Sequence, residues 1–342
     1  MHDVTMPDPA ANPDLTGHRA AEDAFAEAAR ARRLHHAWLI TGPAGIGKET
    51  FAFRAARWLF AGMPEGEGLF VSPEHRMFHL VAAGSHPDLL RLERTVNERT
   101  GRIMGEISAE TARTVPGFLR LTPAEGAWRL VVVPEAERLN LQSSNALLKA
   151  IEEPPPRAVI LLCATSRGAV LPTIRSRCRH LPLAPLADAD VAALLARYAP
   201  DVAAEERGAL AAAAQGSIGR ALALADGDGA KLAALAAAVI ADAPRVDRAR
   251  GYAVADRLGR GEDAFSSFMT LLQDGLGRTV GAAARGQGGA VGQKLLAHAP
   301  LAAWARVWHR LGALRDETEA LNLDKRAAVV TGVALFAAPQ DE

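Results

Sequence analysis

The stretch Ala37-Trp38-Leu39-Ile40-Thr41-Gly42-Pro43-Ala44-Gly45-Ile46-Gly47-Lys48-Glu49-Thr50 decides the fold. Its first four residues form a short apolar run that reads as a buried strand, and Glu49 to Phe60 carries helical patterning. The glycines therefore lie at a strand–loop–helix junction. G-x-x-x-x-G-K in that setting is a phosphate-binding loop. Glycines let successive backbone N–H groups converge on phosphate oxygens, the following helix offers its positive end, and the lysine neutralises the β- and γ-phosphates. The expected nucleotide-binding residues are Gly42, Pro43, Gly45, Ile46, Gly47, Lys48, Glu49 and Thr50.

Two positions that should serve Mg²⁺ depart from this motif. After Lys48 a Ser or Thr hydroxyl is expected as metal ligand, but Glu49 stands there and Thr50 comes one residue late. The buried-strand run Trp128 to Val133 should lead into an acidic residue that orients the metal, but Pro134 takes that place, with Glu135 following as a degenerate remnant. Phosphoryl transfer draws much of its charge stabilisation from the metal, so hydrolysis should suffer more than binding. An alternative stays open, in which Glu49 ligates the metal directly and Glu137 replaces the missing acid, since hard cations accept carboxylates readily.

Outward from the loop, an Ala-rich amphipathic helix is expected over 20–33, and a strand over Asp88 to Leu92. Ile107 to Leu121 reads as a helix. Asn145 to Glu153 reads as another, stopped by Pro154-Pro155-Pro156, and Ala158 to Thr165 as a further buried strand. Strands alternating with helices predict a doubly wound α/β parallel sheet with nucleotide at the carboxyl ends of the strands. Residues 61–86, rich in glycine and proline, read as an irregular insertion. Beyond Pro185, alanine dominates and the periodicity is helical throughout. The expected domains are a flexible lead-in at 1–14, an α/β nucleotide-binding-like domain at 15–186, a small helical domain at 187–228 and a larger helical domain at 229–342.

Composition narrows the function classes. Lys plus Arg and Asp plus Glu number 39 each, so net charge offers no general argument for nucleic acid or membrane as a partner. The longest apolar run, Leu232 to Ala241, is half the ~20 residues of a membrane-spanning helix. The N-terminus lacks a basic-then-apolar leader, and a cytoplasmic protein is expected. Cys163 and Cys178 build neither a disulfide framework nor a zinc quartet. His75 and His79 stand without a third ligand, so no metal site and no zinc is expected.

Residues 145–182 carry Asn145-Ala-Leu-Leu-Lys-Ala-Ile-Glu-Glu-Pro-Pro, then Leu161-Leu-Cys-Ala-Thr, then Leu171-Pro-Thr-Ile-Arg-Ser-Arg-Cys-Arg. Upstream lie Leu34-His-His-Ala-Trp-Leu, Ser85-His-Pro-Asp-Leu and Leu121-Thr-Pro-Ala-Glu-Gly-Ala-Trp-Arg. In order and spacing these resemble bacterial clamp-loader subunits of the AAA+ family, of the delta-prime type of DNA polymerase III and its alphaproteobacterial form. The likeness is firm over 15–185, weaker to 225 and architectural beyond.

The resemblance implies an AAA+ P-loop domain, a small helical lid and a C-terminal helical collar. It implies a pentameric machine, with motor (gamma/tau) and delta subunits as partners, that loads a sliding clamp onto primer-template DNA. In such rings ATP sits between subunits. By position Arg177 matches the arginine finger that reaches a neighbour's ATP, and Thr165 matches a first sensor of the γ-phosphate. A second sensor arginine would fall on Gly219 rather than Arg220. The expected cofactor is ATP or ADP with Mg²⁺, bound weakly or without hydrolysis. The implied role is a mainly structural stator. The alternatives are a motor subunit of the same loader or another AAA+ ATPase, and a small-molecule kinase is disfavoured because no acceptor-substrate motif is evident. Glu152 and Glu153 read as solvated carboxylates, with an ion pair across a subunit interface as a guess.

Overall fold

The computed structural model describes residues 6–96, 101, 103–125, 127–226, 228–258 and 264–339. The chain order is α1 (Arg19–Arg30), β1 (Ala37–Thr41), α2 (Lys48–Phe60), α3 (Arg76–Ala82), β2 (Leu89–Arg91), α4 (Ala109–Arg120), β3 (Arg129–Val133), α5 (Leu141–Glu152), β4 (Ala158–Ala164), α6 (Pro172–Arg175) and β5 (Arg179–Pro182). Among the described residues, helices alone follow: α7 (Asp188–Tyr198), α8 (Ala204–Ala214), α9 (Ile218–Ala225), α10 (Gly229–Asp242), α11 (Arg248–Arg257), α12 (Ala264–Ala284), α13 (Ala290–His298), α14 (Leu301–Ala320) and α15 (Lys325–Ala334).

The five strands form one sheet in the order β2-β3-β4-β1-β5, and every pairing is parallel. All five strands therefore end at the same edge of the sheet. Alternation along each strand splits the core into two layers. Trp38, Ile40, Leu130, Val132, Leu161 and Cys163 face the cluster built on Phe25 of α1 and Phe51 of α2. Ala37, Leu39, Val131, Val133, Ile160 and Leu162 face Val115 of α4 and Leu147 of α5. Burial on both faces explains why these strands read as continuous apolar runs.

Two compact units partition the chain: Thr5–Leu194 with Gln215–Arg220, and Leu195–Ala214 with Ala221–Glu342. In the second, α12 packs against α10, α13 and α14, and α11 packs against α15. This partition cuts through the expected small helical segment 187–228.

Several expectations need correction. The lead-in is not loose over residues 6–14, because two arginines of α2 bind its backbone. Arg57, 1% exposed, donates to the carbonyls of Ala10 and Asn12 at 2.8 and 2.7 Å, and Arg54 donates to that of Pro13 at 2.6 Å. Burial lowers the Arg57 pKa to about 10, which leaves it charged at neutral pH. Hydrogen bonds, rather than the missing apolar surface, hold this strap. The insertion at 61–86 contains α3, whose first turn is capped by His75 Nδ1, accepting from the amide of Met77 at 3.1 Å. Helix α5 begins at Leu141, four residues before the expected start, with the Asn140 side chain accepting from the amide of Ser143. Strand β5, not foreseen, completes the sheet beside β1.

Two motifs far apart in sequence meet in space. Asp88 of the Ser85–Leu89 motif is fully buried and accepts from the amides of Ala124 and Glu125, while Arg129 Nη2 pairs with it at 3.1 Å. All three partners belong to the Leu121–Arg129 motif, so the two motifs form one structural unit at the start of β3.

Candidate nucleotide site and a distant arginine

The loop between β1 and α2 has the conformation its glycines allow. Gly45 and Gly47 have φ of +72° and +102°, a region that L side chains rarely adopt. The outer carbonyls of the loop are tied from behind. His18 Nε2 lies 2.7 Å from the oxygen of Ile46, Ser217 Oγ donates to that of Ala44 at 2.8 Å, and the Gly219 amide donates to that of Gly45 at 3.0 Å. The Gly42 amide donates to the carbonyl of Ala164 at 3.2 Å and Pro43 has no N–H, so with the carbonyls engaged behind it is the N–H groups from Ala44 onward that are left for an anion.

Lys48, the first residue of α2, folds its Nζ onto the carbonyls of Gly42 and Pro43 at 2.8 and 2.7 Å. Burial pulls its pKa below the ordinary lysine value, against the fields of Cys163, Glu137 and Glu49. A phosphate reaching this ammonium would replace two neutral acceptors with a charged one. The loop therefore suits a phosphate.

The metal side is different. Burial pushes the Glu49 pKa up, and Arg91, Glu135, Lys48 and Asp8 all act on it. Its Oε2 lies 3.9 Å from Arg91 Nη2, and that arginine also pairs with Glu93 and Asp8. Glu135 is held by Arg94 through two hydrogen bonds of 2.7 and 3.2 Å. Glu49 and Glu135 are thus already faced by guanidinium groups, and Pro134 supplies no ligand. Among the described residues no group of three or more His, Cys, Asp or Glu is arranged to hold a metal. The donor set as it stands fits phosphate better than it fits Mg²⁺.

Glu137 and Thr165 meet, a pairing that their separation in sequence concealed. Glu137 Oε1 accepts from the Thr165 amide at 3.2 Å, while its Oε2 is buried with no hydrogen-bond partner among the described residues. The fold thus gathers the loop, Glu49, Glu135, Glu137 and Thr165 at the carboxyl edge of the sheet. Sequence reading missed Arg91, Arg94 and His18, which lie outside any motif, and gave no role to Ser217, which lies two residues before Gly219; all four act only through contacts made by folding.

Arg177 stands elsewhere. It follows α6 and precedes β5, whose Arg179 is in register with Trp38 near the start of β1. The glycine loop leaves the other end of β1. A five-residue parallel strand spans roughly 16 Å, so Arg177 and the loop lie at opposite edges of the sheet. Its Nη1 donates to the carbonyl of Thr173 at 3.0 Å and approaches Ser176 Oγ at 3.4 Å, and Nη2 pairs with Glu152 Oε1 at 2.8 Å. The guess that Glu152 pairs across a subunit interface is corrected: its partner is in the same chain.

Sheet order and loop define a P-loop protein of the AAA+ type, with a strand inserted between the loop-bearing strand and the strand that leads into Pro134. The family described as DNA polymerase III, delta subunit matches residues 17–187. The chain belongs to that family, in its delta-prime branch. It is 38% identical to the DNA polymerase III subunit delta' of Pseudomonas aeruginosa over 184 residues, which is 53% of each chain. Against the subunit delta' of Escherichia coli K12 the identity is 33% over 202 residues, 58% of this chain and 57% of the relative. The tau/gamma subunit of Haemophilus influenzae shares 29% over 219 residues, 62% of this chain and 30% of the relative. The chain thus matches about half the length of these delta' relatives. A solved DNA polymerase III gamma subunit-related protein of Thermotoga maritima overlays at 17% identity with a TM-score of 0.45, covering 92% of this chain and 99% of that one.

Proposed function

We propose that this chain is a mainly structural subunit of the DNA polymerase III clamp loader, of the delta-prime kind. It would help to load a sliding clamp onto primer-template DNA, with gamma/tau and delta subunits as partners in the cytoplasm. Its helices from 187 to 228 would serve as a lid, and those from 229 to 342 as a collar for assembly. Its own site binds ATP or ADP weakly and hydrolyses it little. Its contribution to hydrolysis is Arg177, offered to the site of an adjacent subunit, where a guanidinium stabilises charge on the transferring phosphoryl group.

The observation that carries this reading is the separation of Arg177 from the glycine loop of its own chain. An arginine at the far edge of the sheet cannot serve its own loop and is available to a neighbour's. Guanidinium groups facing Glu49 and Glu135 support the stator role, because a carboxylate occupied in this way is a poor metal ligand. Glu137, with an unpartnered buried oxygen and a field on Lys48, favours the alternative of a motor subunit or another AAA+ ATPase.

The test is ATP hydrolysis by the purified chain alone, then with motor and delta subunits, clamp and primed DNA. A silent chain that supports DNA-stimulated hydrolysis, lost in Arg177→Ala, bears the reading out. Robust Mg²⁺-dependent turnover by the chain alone makes it a motor, and full activity of the Arg177→Ala complex refutes the finger.

A further inference from the structure

We infer that Glu152 is a positioning residue that orients the Arg177 guanidinium for the neighbouring active site, an inference that rests on the arginine-finger reading above. The guanidinium is gripped on two sides. The carbonyl of Thr173, in the last turn of α6, accepts from Nη1 at 3.0 Å, and Glu152 Oε1, the last residue of α5, takes Nη2 at 2.8 Å. Ser176 Oγ adds a third, longer contact at 3.4 Å. A guanidinium has five N–H donors in a fixed plane, so donors are left over after these three acceptors. Pinned on one edge, the group can present the rest of its fork to a phosphate.

Fold stability does not account for this pair. Both side chains are close to half exposed, 42% for Arg177 and 46% for Glu152, and pairs of that kind add little to stability. Glu152 also lies at the carboxyl end of α5, where the helix dipole disfavours an anion. The carboxylate is thus badly placed for the helix and well placed for the arginine. A long, freely rotating side chain loses entropy when it reaches a transition state, and orienting it in advance removes that cost from the reaction.

The experiment uses the loader reconstituted from this chain with motor and delta subunits, clamp and primed DNA, and compares Glu152→Gln, Glu152→Asp, Arg177→Ala and the double variant Glu152→Gln/Arg177→Ala. Glu152→Gln should lower kcat about 3- to 10-fold with KM for ATP nearly unchanged, as expected for loss of an interaction made only in the transition state. Glu152→Asp should recover part of the loss. In the Arg177→Ala background Glu152→Gln should cost nothing further. As a second readout, Glu152→Gln should weaken trapping by ADP with aluminium fluoride and leave ADP binding and the melting temperature of the chain unaltered. If Arg177→Ala is inactive while Glu152→Gln is fully active, or if the two losses multiply, the positioning role is overturned and the finger stands. A faster Glu152→Gln complex overturns it as well, by making Glu152 a restraint. An active Arg177→Ala complex brings down both readings.

Discussion

The amide of Gly219 donates to the carbonyl of Gly45 at 3.0 Å, so the start of α9 is bonded directly to the glycine loop. A Cβ at Gly219 would lie 2.9 Å from the Gly45 Cα, and one at Gly45 would lie 2.6 Å from Ser217 Oγ. Family likeness puts a sensor arginine at residue 219, but backbone fills that space. Gly219→Arg should therefore displace the loop instead of restoring a phosphate contact. Overpacking of this kind costs about 1–3 kcal/mol. Urea unfolding checks the loss, and nucleotide titration should show no gain in affinity.

The metal side makes a second prediction. Glu49→Thr with Pro134→Asp restores a hydroxyl and a carboxylate, while Arg91 keeps its pairing with Glu93 and its contact with Asp8. Mg²⁺-dependent nucleotide affinity should rise about tenfold, or about 1.4 kcal/mol. Calorimetric titrations with Mg²⁺ and with a chelator measure the difference. Turnover by the isolated chain should rise with it if the remainder of the pocket is competent.

Asp88 carries a stability prediction. Asp88→Ala leaves the Arg129 guanidinium buried without its carboxylate and the amides of Ala124 and Glu125 without that acceptor. Breaking such a pair from one side costs about 3–5 kcal/mol. Denaturant unfolding of Asp88→Ala measures it. The milder Asp88→Asn, which keeps an acceptor for the amides, should lose less.

His18 should make the fold sensitive to acid. Burial holds its pKa below the ordinary 6.5, more than the Ile46 carbonyl and the Glu22 carboxylate raise it. The unfolded chain takes up a proton near 6.5 and the folded chain only at lower pH. The stability this residue contributes is thus complete above 6.5 and drains away as the pH falls through the folded value. Buried His86, stacked on Phe60, is shifted in the same direction. Urea midpoints at about pH 7.5 and about pH 5.5 should differ, and His18→Gln, which keeps a donor for Ile46, should narrow the gap.

How much of this was legible depends on the range over which each feature is held together. The glycine loop, its flanking strand and helix, and the apolar strands 129–133 and 158–164 follow from local pattern, because sheet burial on both faces demands unbroken apolar runs. The departures at Glu49 and Pro134 are equally local. Strand β5 escaped notice because three of its four residues are exposed and no apolar run marks it. The strap at 6–14 escaped because it is held by hydrogen bonds from arginines more than forty residues away, which periodicity cannot register. Only the tertiary structure pairs Glu137 with Thr165, Asp88 with Arg129 and Glu152 with Arg177, and only the parallel register sets Arg177 at the edge opposite the loop. Residue types mark what chemistry is available. Which groups meet is decided when the sheet aligns its strands and distant side chains satisfy one another's charge.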